Sequence, residues 1–292
     1  MDVASKKPSY SASPTRSLVK AVSILQCFSY DQSELSISDI VRKVEIPRAT
    51  VHRMLTTLVA TGLLGRSAAT GRYRIGPKLY TMGSLYLATT DILSAAEPVT
   101  QLLNELTRES VKLSVFDIGN VVVIKKEEAR HHLRYHHAVG TILPAYASAM
   151  GKAFLSEISE AELDTFYPGE ALKPLTIKTI ATKAELKREL QEIRRTGVSF
   201  DMEGNTLGVI GVASVIRDRS GKAVVAMSIG VQSHLTDERR TRRLAELVRM
   251  GARLISYHLG YQDREVALPS LEAIRSWWDK DVRVARATLV AK

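Results

Sequence analysis

The sequence predicts an α+β protein, in which a small N-terminal module of helices and one hairpin precedes a larger module with a mainly antiparallel sheet. Three observations predict this fold class. Two helical patterns meet at a tight turn between residues 38 and 60, β-rich segments beyond residue 110 are joined by short turns, and helical patterns separate those segments. A chain of 292 residues, 45% of them hydrophobic, is long enough for two domains with sizeable cores.

Charge divides the chain in the same way. The formal net charge is +10, and residues 1–77 hold 11 Lys and Arg residues against 5 Asp and Glu residues. A basic module is therefore attached to a larger, nearly balanced one, which favours a polyanionic partner such as nucleic acid.

Cysteine content and hydropathy exclude several classes of protein. The single cysteine, Cys27, allows no disulfide framework within one chain, and we expect it to pack as a small hydrophobe. No apolar segment is long enough to span a membrane. Residues 1–14 lack the apolar core of a signal peptide and are expected to form a disordered basic arm, so we expect a cytoplasmic protein.

The first module spans residues 15–77 and opens with a helix that begins near Thr15. An apolar stripe on this helix is expected to pack against the two helices that follow. Its members are Leu18, Val19, Val22, Leu25 and Phe28. Residues 29–37 are expected to be a polar connection.

The next two helices predict a helix-turn-helix. Ser38 is the expected N-cap of the first helix, and a turn at residues 45–47 ends it because Pro47 pushes Ile46 out of the helical region. The second helix buries a single apolar stripe, made of Val51, Met54, Leu55, Leu58 and Val59.

The other side of that second helix is polar and cationic, and its first turns contain no carboxylate. Such a surface suits the major groove of DNA. We expect Arg48, Thr50 and His52 to approach base edges, whereas Arg53 contacts phosphate.

Residues 63–75 predict a β-hairpin, because apolar segments flank a turn-rich stretch. Arg66 and Arg72 lie on its arms, where they would neutralise phosphate as the wing of a winged helix-turn-helix. The alternative is an ordinary small core, since helix-turn-helix geometry also occurs in proteins that do not bind DNA.

Residues 78–90 predict a linker helix that is apolar on more than one side. A helix of this kind must be covered, and the same helix of a second subunit would cover it, which predicts a dimer. The alternative is a helix that docks only on its own domain.

The second module spans residues 91–262 and alternates helices with hairpins. Gly119-Asn120 is the expected two-residue turn of its first hairpin, and a third strand is expected from Leu133 to His136. Helices are expected at residues 92–106, 151–155, 160–166, 183–195 and 237–257, and further strands at 198–200, 209–216 and 223–229.

Several segments together resemble the IclR family of transcriptional regulators. They are SLVKAVSILQCF, the helix-turn-helix, GRYRIGPKLYTMG, LPAYASAMGKAFLSEIS and GVSFDMEGNTLGVIGVASVIRDRSGKAVVAMSIG. The match covers residues 16–260. It implies a winged helix-turn-helix, a linker helix and a GAF-like effector-binding domain, assembled as a homodimer or a dimer of dimers on operator DNA.

The resemblance also implies a cleft for a small carboxylate effector. The residues at the matching positions are Ala149, Met150, Asp201, Gly211, Ser228 and Gly230. The residues themselves are consistent with such a cleft, since Ser148 can cap the helix at Ala149 and backbone N–H groups at a helix start attract a carboxylate.

This chain departs from the family pattern at Gly204, where members commonly carry an acidic residue. Two glycines that face Met150 would leave an apolar, roomier pocket, which predicts an aromatic or larger organic acid rather than glyoxylate. Each position also has a structural alternative. The glycines can serve β-bulges, Ser228 can bond to backbone, and Asp201 can cap its loop.

Other candidate sites carry less weight. The four histidines in residues 131–137 point to both sides of a strand, so they are expected to be a solvated or dimer-facing cluster and not a metal site. Gly151-Lys152 lacks the spacing of a phosphate loop, and residues 204–211 lack that of a dinucleotide fold. Neither metal, cofactor nor catalytic residues are predicted.

The C-terminal extension, residues 263–292, lies beyond the resemblance. Its Leu271, Ile274, Trp277 and Trp278 could form a short docked helix, and residues 282–292 could be a basic tail.

The sequence therefore predicts a ligand-responsive regulator that binds a near-palindromic operator. An enzyme with a non-specific basic module is the alternative from another class, and it predicts turnover of a ligand.

Overall fold

The computed structural model describes residues 15–29, 32–88, 91–130, 137–262 and 270–290, and for residues 86–88 and 281–290 it describes the backbone alone. The chain divides into two compact units, Met1–Thr90 and Asp91–Lys292.

The N-terminal unit is a winged helix-turn-helix, as predicted. Its elements are α1 (Arg16–Leu25), β1 (Glu34–Leu35), α2 (Ile37–Lys43), α3 (Arg48–Ala60), β2 (Leu64–Arg66), β3 (Tyr73–Ile75) and α4 (Pro77–Ala88). The three short strands form an antiparallel sheet in the order β1-β3-β2. The predicted polar connection between the first two helices therefore contains the strand β1.

The core of this unit lies between α1, α2, α3 and the sheet. Val51 and Leu55 of the predicted stripe are fully buried, and they pack with Ile24 and Ile40. The prediction for α1 is wrong in part, because Leu18, Val19 and Val22 are 65%, 52% and 44% exposed. The helix contributes to the core through its C-terminal end, so most of its apolar stripe remains uncovered within one chain.

The N-cap of α2 is Ser36 and not Ser38. The Ser36 hydroxyl accepts a hydrogen bond from the Asp39 backbone N–H, and the Asp39 carboxylate accepts one from the Ser36 N–H, which is a capping box. Hydrogen bonds from the Ser36 hydroxyl and backbone, and from Arg42, lower the pKa of Asp39 to about 2. The reciprocal pair selects Ser36 because Ser38 has no acceptor three residues later.

The predicted linker helix is α4, and several of its large apolar side chains are exposed to solvent. Tyr80 is 80% exposed, Met82 55% and Leu85 63%. Coverage of these side chains by a second subunit stays a prediction.

The C-terminal unit contains one six-stranded sheet with helices on both faces. Its helices are α5 (Ile92–Thr107), α6 (Ala149–Leu155), α7 (Glu160–Phe166), α8 (Lys183–Thr196), α9 (Glu238–His258) and α10 (Leu271–Val290). Its strands are β4 (Ser110–Asp117), β5 (Asn120–Glu127), β6 (Ile142–Pro144), β7 (Ser199–Met202), β8 (Val209–Arg217) and β9 (Ala223–Gln232). The order is β6-β5-β4-β9-β8-β7, and every pair is antiparallel, as predicted.

Alternation along the strands separates two cores. Val225, Met227 and Ile229 of β9 pack toward α5, α9 and α10. Ala226 of β9 and Ala213 of β8 pack instead with α6. Because side chains alternate along a strand, Gly211, Ser228 and Gly230 share the α6 side of the sheet.

The first hairpin turns one residue earlier than predicted. Asp117 pairs with Asn120, so the two turn residues are Ile118 and Gly119, with φ of 40° and 75°. Two positive φ values are typical of the turns that match strand twist. β5 also pairs with β6, a strand that the sequence analysis does not predict, and the predicted strand from Leu133 to His136 lies outside the described residues.

α6 lies very close to the chain that precedes it, a 3-10 turn at Ala145–Ala147. A Cβ atom at Gly151 would be 2.2 Å from the Cα atom of Ala145. Ser148 caps the helix as predicted, since its Oγ accepts the Gly151 N–H at 3.1 Å. Glycine at position 151 thus lets α6 approach the turn.

The C-terminal extension packs as the long helix α10. Ile274 is fully buried, Trp278 is 8% exposed, and both belong to the core that α5 and α9 share. The Arg243 guanidinium lies 4.3 Å from the centre of the Trp278 ring. The helix is longer than the expected short one, because its backbone continues to Val290 through most of the expected tail.

Among the described residues, we find no helix of sufficient length and apolar character to cross a membrane.

Candidate functional site

α3 presents the predicted DNA-contacting side chains outside the core of its unit. Arg48, His52 and Arg53 are exposed, and Thr50 is half-buried. At about 100° per residue, Arg53 lies near the middle of the exposed face, with Arg48 and His52 toward one edge and Thr50 toward the other. Arg48 also donates a hydrogen bond to the Ser38 hydroxyl at 3.2 Å, which joins the start of α3 to α2.

The wing holds the other two arginines. Arg66 donates to the Gly71 carbonyl at 3.3 Å, and its guanidinium lies 5.5 Å from the centre of the Tyr73 ring. Arg72 donates to the Glu34 carbonyl at 3.2 Å and lies 3.9 Å from a carboxylate oxygen of Asp39. Arg66 is thus held within the wing, whereas Arg72 is held by contacts to β1 and α2 and is partly neutralised by Asp39.

The six predicted effector residues all line one cavity of the C-terminal unit, which we call the sheet cavity. It lies between α6 and the sheet. Its walls are Lys112, His137, Leu143, Ser148, Ala149, Met150, Asp201, Asn205, Val209, Gly211, Ser228 and Gly230. The cavity measures about 30 Å³, which is room for one or two water molecules.

Asp201 caps its loop and also faces the sheet cavity. The carboxylate accepts the backbone N–H groups of Gly204 at 2.7 Å and Asn205 at 3.2 Å. Burial raises the pKa of Asp201 to about 6, although Lys152 and these two hydrogen bonds oppose the rise. Asp201 therefore caps its loop and lines the cavity at the same time, so these two interpretations are compatible.

Gly211 and Gly230 pair directly across β8 and β9, and the irregularities of the sheet lie elsewhere, at Leu113/Ser114 and Ile216/Arg217. A Cβ atom at Gly211 would lie 3.3 Å from that of Ala149, and one at Gly230 would lie 3.3 Å from Ser110 Oγ. The bulge interpretation of the two glycines is wrong. At Gly211 the missing Cβ atom leaves room for α6, and at Gly230 it leaves room for the Ser110 side chain on the adjacent strand β4.

Lys112 is the principal wall residue that the sequence analysis misses. It pairs with Ser228 across β4 and β9 and is 3% exposed. Burial and the nearby Lys126 ammonium lower the pKa of Lys112 to about 7, while Glu128 and Asp201 act in the opposite direction. Lysine within a buried strand, flanked at alternate positions by Ser110 and Ser114, is the signal that could have revealed it.

His137 is the second ionisable group that the sequence analysis does not assign to the cavity. Burial, Lys112 and Lys126 together lower its pKa to about 4, so the imidazole is neutral near pH 7. The neighbouring His131, His132 and His136 lie outside the described residues. Within the described ranges, the structure contains no group of three metal-ligating side chains.

The expectation of an apolar, roomy pocket is therefore wrong. The sheet cavity is small, and a lysine, an aspartate and a histidine share its wall with the apolar residues. Strand register places Lys112 near Gly230, where an added Cβ atom would be 3.9 Å from Lys112 Nζ, an ordinary contact distance.

Comparison with known families covers most of the chain. Residues 17–68 match the model of the IclR helix-turn-helix domain, and residues 84–257 match that of the bacterial transcriptional regulator IclR C-terminal domain.

Curated relatives and solved structures agree with these matches. The HTH-type transcriptional repressor AllR of Escherichia coli is 32% identical over 246 residues, which cover 84% of this chain and 90% of that protein. The transcriptional repressor IclR of the same organism is 28% identical over 81% of this chain and 89% of its own length. An IclR homologue from Microbacterium hydrocarbonoxydans, solved with 4-hydroxybenzoate, shares the fold with a TM-score of 0.71 and 24% identity over 83% of this chain and 98% of that one.

Proposed function

The chain belongs to the IclR family of bacterial transcriptional regulators, and we propose that it represses transcription from a near-palindromic operator until a small organic acid binds in the sheet cavity. Its relatives AllR and IclR are repressors and not enzymes, so the chain is a regulator and the enzyme alternative is rejected. We also propose a cytoplasmic location, because a bacterial protein that binds operator DNA acts in the cytoplasm.

The N-terminal unit would read the operator through α3 and its wing. Arg48, Thr50 and His52 reach base edges in the major groove, and Arg53 contacts phosphate from the middle of the exposed face. Arg66 and Arg72 contact phosphate from the wing. The order of exposed cations along α3 and the wing supports this assignment, since none of these six side chains contributes to the core.

A dimer, or a dimer of dimers, would place two such units on the two halves of the operator. The support within the chain is α4, which exposes Tyr80, Met82 and Leu85 on one short helix. We propose that the same helix of a second subunit covers them.

The observation that carries the effector proposal is the buried lysine of the sheet cavity. Lys112 and Asp201 are 3% and 6% exposed and line the same small space. An acid whose carboxylate lies against Lys112 would accept a charge-assisted hydrogen bond from its buried ammonium. The cavity is therefore suited to an anion.

The small volume of the sheet cavity limits how an acid can bind there. A cavity of about 30 Å³ is too small for an aromatic acid, so the acid must displace side chains or separate α6 from the sheet. Met150 lies at the start of α6, and methionine side chains rearrange readily. Binding would thus change the C-terminal unit, and the 4-hydroxybenzoate bound by the Microbacterium homologue supports an aromatic acid as one candidate.

The switch requires that the acid bind the DNA-free and the operator-bound arrangement with different affinity. We propose that α4 transmits the change and alters the spacing of the two reading heads.

An electrophoretic mobility shift assay tests the proposal. The full-length protein is incubated with DNA from upstream of its own gene, at moderate salt, with and without aliphatic and aromatic acids that include 4-hydroxybenzoate. We expect a discrete shift that survives competitor DNA and that one acid weakens. A double variant, Arg53→Ala with Arg66→Ala, should lose the shift, and Arg239→Ala on an exposed turn of α9 is the matched control. Smeared binding that no acid changes and that both variants retain would overturn the proposal.

A further inference from the structure

The segment that joins β7 to β8, residues 203–208, forms part of one wall of the sheet cavity. The cavity is lined by Asp201 and Val209, on the two strands that flank the segment, and by Asn205 within it. Asn205 is half-buried, so the segment has the cavity on one side and solvent on the other.

The carboxylate of Glu203, the first residue of this segment, joins three parts of the unit. It accepts the backbone N–H of Gly208, the last residue of the segment, at 2.7 Å and the hydroxyl of Ser233 at 3.2 Å. It also forms an ion pair with Lys178. The hydrogen bond from Lys178, followed by that from Gly208, keeps the pKa of Glu203 below its usual value, so the group is a carboxylate near pH 7. One side chain thus ties the two ends of the segment to each other and to two neighbouring turns.

Two backbone carbonyl groups of the segment are also held from outside it. Thr176 Oγ1 donates to the Glu203 carbonyl at 2.8 Å, and Thr179 Oγ1 donates to the Gly204 carbonyl at 2.6 Å. Gly204 lies against the turn that precedes α6, since a Cβ atom there would be 3.6 Å from the Ala147 carbonyl oxygen. The segment therefore bridges the sheet and the start of α6.

The backbone of the segment is strained at one end and adaptable at the other. Glu203 has a φ of 67° and Gly208 a φ of 80°. A positive φ is unfavourable for glutamate, whereas glycine adopts it readily. The bonds of the Glu203 side chain thus hold a conformation that its own backbone disfavours, and opening would relieve that strain. Both residues adjoin the ends of strands, where hinges absorb changes in φ and ψ.

Polar contacts, and not apolar packing, hold the segment in place. None of residues 203–208, all of which the structure describes, belongs to a hydrophobic core. Leu207 is 54% exposed, and Met202, just before the segment, is 52% exposed. Movement of the segment away from the cavity would therefore leave the cores covered.

We propose that residues 203–208 are a lid over the sheet cavity, that Glu203 is the latch of this lid, and that an acid enters the cavity when the latch releases. The inference rests on the proposed effector site and assigns it an entry route. A cavity of about 30 Å³ needs such a route, because an organic acid has no room in it until a wall moves. Glu203 does not line the cavity, so it is a positioning residue that controls how often the cavity opens.

Hydrogen–deuterium exchange of the full-length protein, followed by mass spectrometry, tests the latch. Glu203→Ala should accelerate exchange of the amides in residues 203–208 by about 10-fold or more, because hydrogen bonds to a charged group are lost. Exchange in β9 should stay as in the wild type. Glu272→Ala, which removes an exposed glutamate of α10, is the matched control and should change neither. Unchanged exchange of the lid in Glu203→Ala would overturn the proposal.

Acetylation of Lys112 tests whether the lid controls access to the cavity. Lys112 lines the cavity and is 3% exposed, so acetic anhydride reaches it only when the cavity opens. Mass spectrometry of the digested protein should show that Lys112 is acetylated about 10-fold faster in Glu203→Ala than in the wild type. The exposed Lys222 should react equally in both proteins. Equal acetylation of Lys112 in the two proteins would also overturn the proposal, because the cavity would then open without the lid.

The exchange of β9 keeps the outcome decisive. Faster exchange there as well would mean that Glu203→Ala has lost its fold. Lys178→Met then replaces it in both measurements, with the same expected and contradicting results, because this side chain is 51% exposed and its removal breaks the ion pair of the latch. Neither measurement uses an acid or DNA. Operator binding that no acid changes would therefore reject the proposed function, and these two results alone would decide the lid.

Discussion

Lys112 is the residue whose chemistry distinguishes the sheet cavity. Its ammonium is buried on a strand, and its neighbour Asp201 has the opposite charge and an opposite change in pKa. The pKa of Lys112 falls to about 7 and that of Asp201 rises to about 6, because burial disfavours the charged form of each. Between these values the charge of the cavity depends on pH.

This pH dependence should appear in effector binding. As pH rises from about 6 to about 8, Asp201 becomes a carboxylate and Lys112 loses its proton, so both changes disfavour an anionic acid. We expect the affinity for the acid identified by mobility shift to fall over this range. Lys112→Met should lower the affinity at pH 6 by about 10- to 100-fold, because a hydrogen bond to a charged group contributes about 1.5–3 kcal/mol. Calorimetry at several pH values measures both effects.

The matched control is Lys222→Met, which removes an exposed lysine from the turn between β8 and β9. It should leave the affinity and its pH dependence unchanged. An affinity for the acid that is the same in Lys112→Met and the wild type would show that the acid does not contact this lysine.

At the scale of elements, α10 is the largest addition to the part of the chain that matches the family, because that match ends at residue 257. The helix contributes Ile274 and Trp278 to the main core of the C-terminal unit. Its one described ion pair to α5, Arg275 with Glu105, is half exposed at both ends. Apolar packing and not this ion pair therefore holds α10 in place.

We accordingly expect Trp278→Ala to destabilise the C-terminal unit by about 3 kcal/mol, since it removes a large buried ring and leaves a cavity. Arg275→Ala should cost no more than about 1 kcal/mol, because exposed ion pairs contribute little. Urea unfolding followed by far-ultraviolet circular dichroism compares the two free energies of unfolding without relying on tryptophan fluorescence. Equal costs for the two variants would mean that α10 is not part of the core.

At the scale of the whole molecule, arginines occur in two different settings in a chain with a formal net charge of +10. In the N-terminal unit the cations lie on the exposed face of α3 and on the wing, where a polymer can reach them. In the C-terminal unit, by contrast, Arg194, Arg195, Arg217, Arg249 and Arg253 line one cavity. The net charge of the chain therefore does not give the number of cations that contact DNA.

The dependence of operator affinity on salt concentration distinguishes arginines that contact DNA phosphate from arginines that do not. Each phosphate contact releases counterions, so Arg66→Gln should reduce the slope of log affinity against log salt by about 2 for a dimer on its operator. Arg239→Gln removes the same charge from α9 and should leave the slope unchanged. Fluorescence anisotropy with labelled operator, measured between about 100 and about 300 mM salt, gives both slopes. Identical slopes for Arg66→Gln and the wild type would remove Arg66 from the phosphate contacts.

Local patterns were sufficient to predict the order and type of nearly all the described elements, the winged helix-turn-helix and the antiparallel sheet. Hydrophobic period, turn residues and capping are properties of neighbouring residues, so they can be read from sequence. The six residues predicted to bind an effector do line one cavity, but the resemblance to a family and not spacing alone identified them, and their role in binding stays a prediction.

Only the tertiary structure decided the size and charge of that cavity. Lys112 becomes a wall residue because β4 pairs with β9 in one register, which sets it opposite Ser228, more than 100 residues later in the chain. The same holds for the cavity that Arg194 of α8, Arg217 of β8 and Arg253 of α9 line together. Contacts between distant segments depend on strand register and helix packing, and no period within a single segment encodes them.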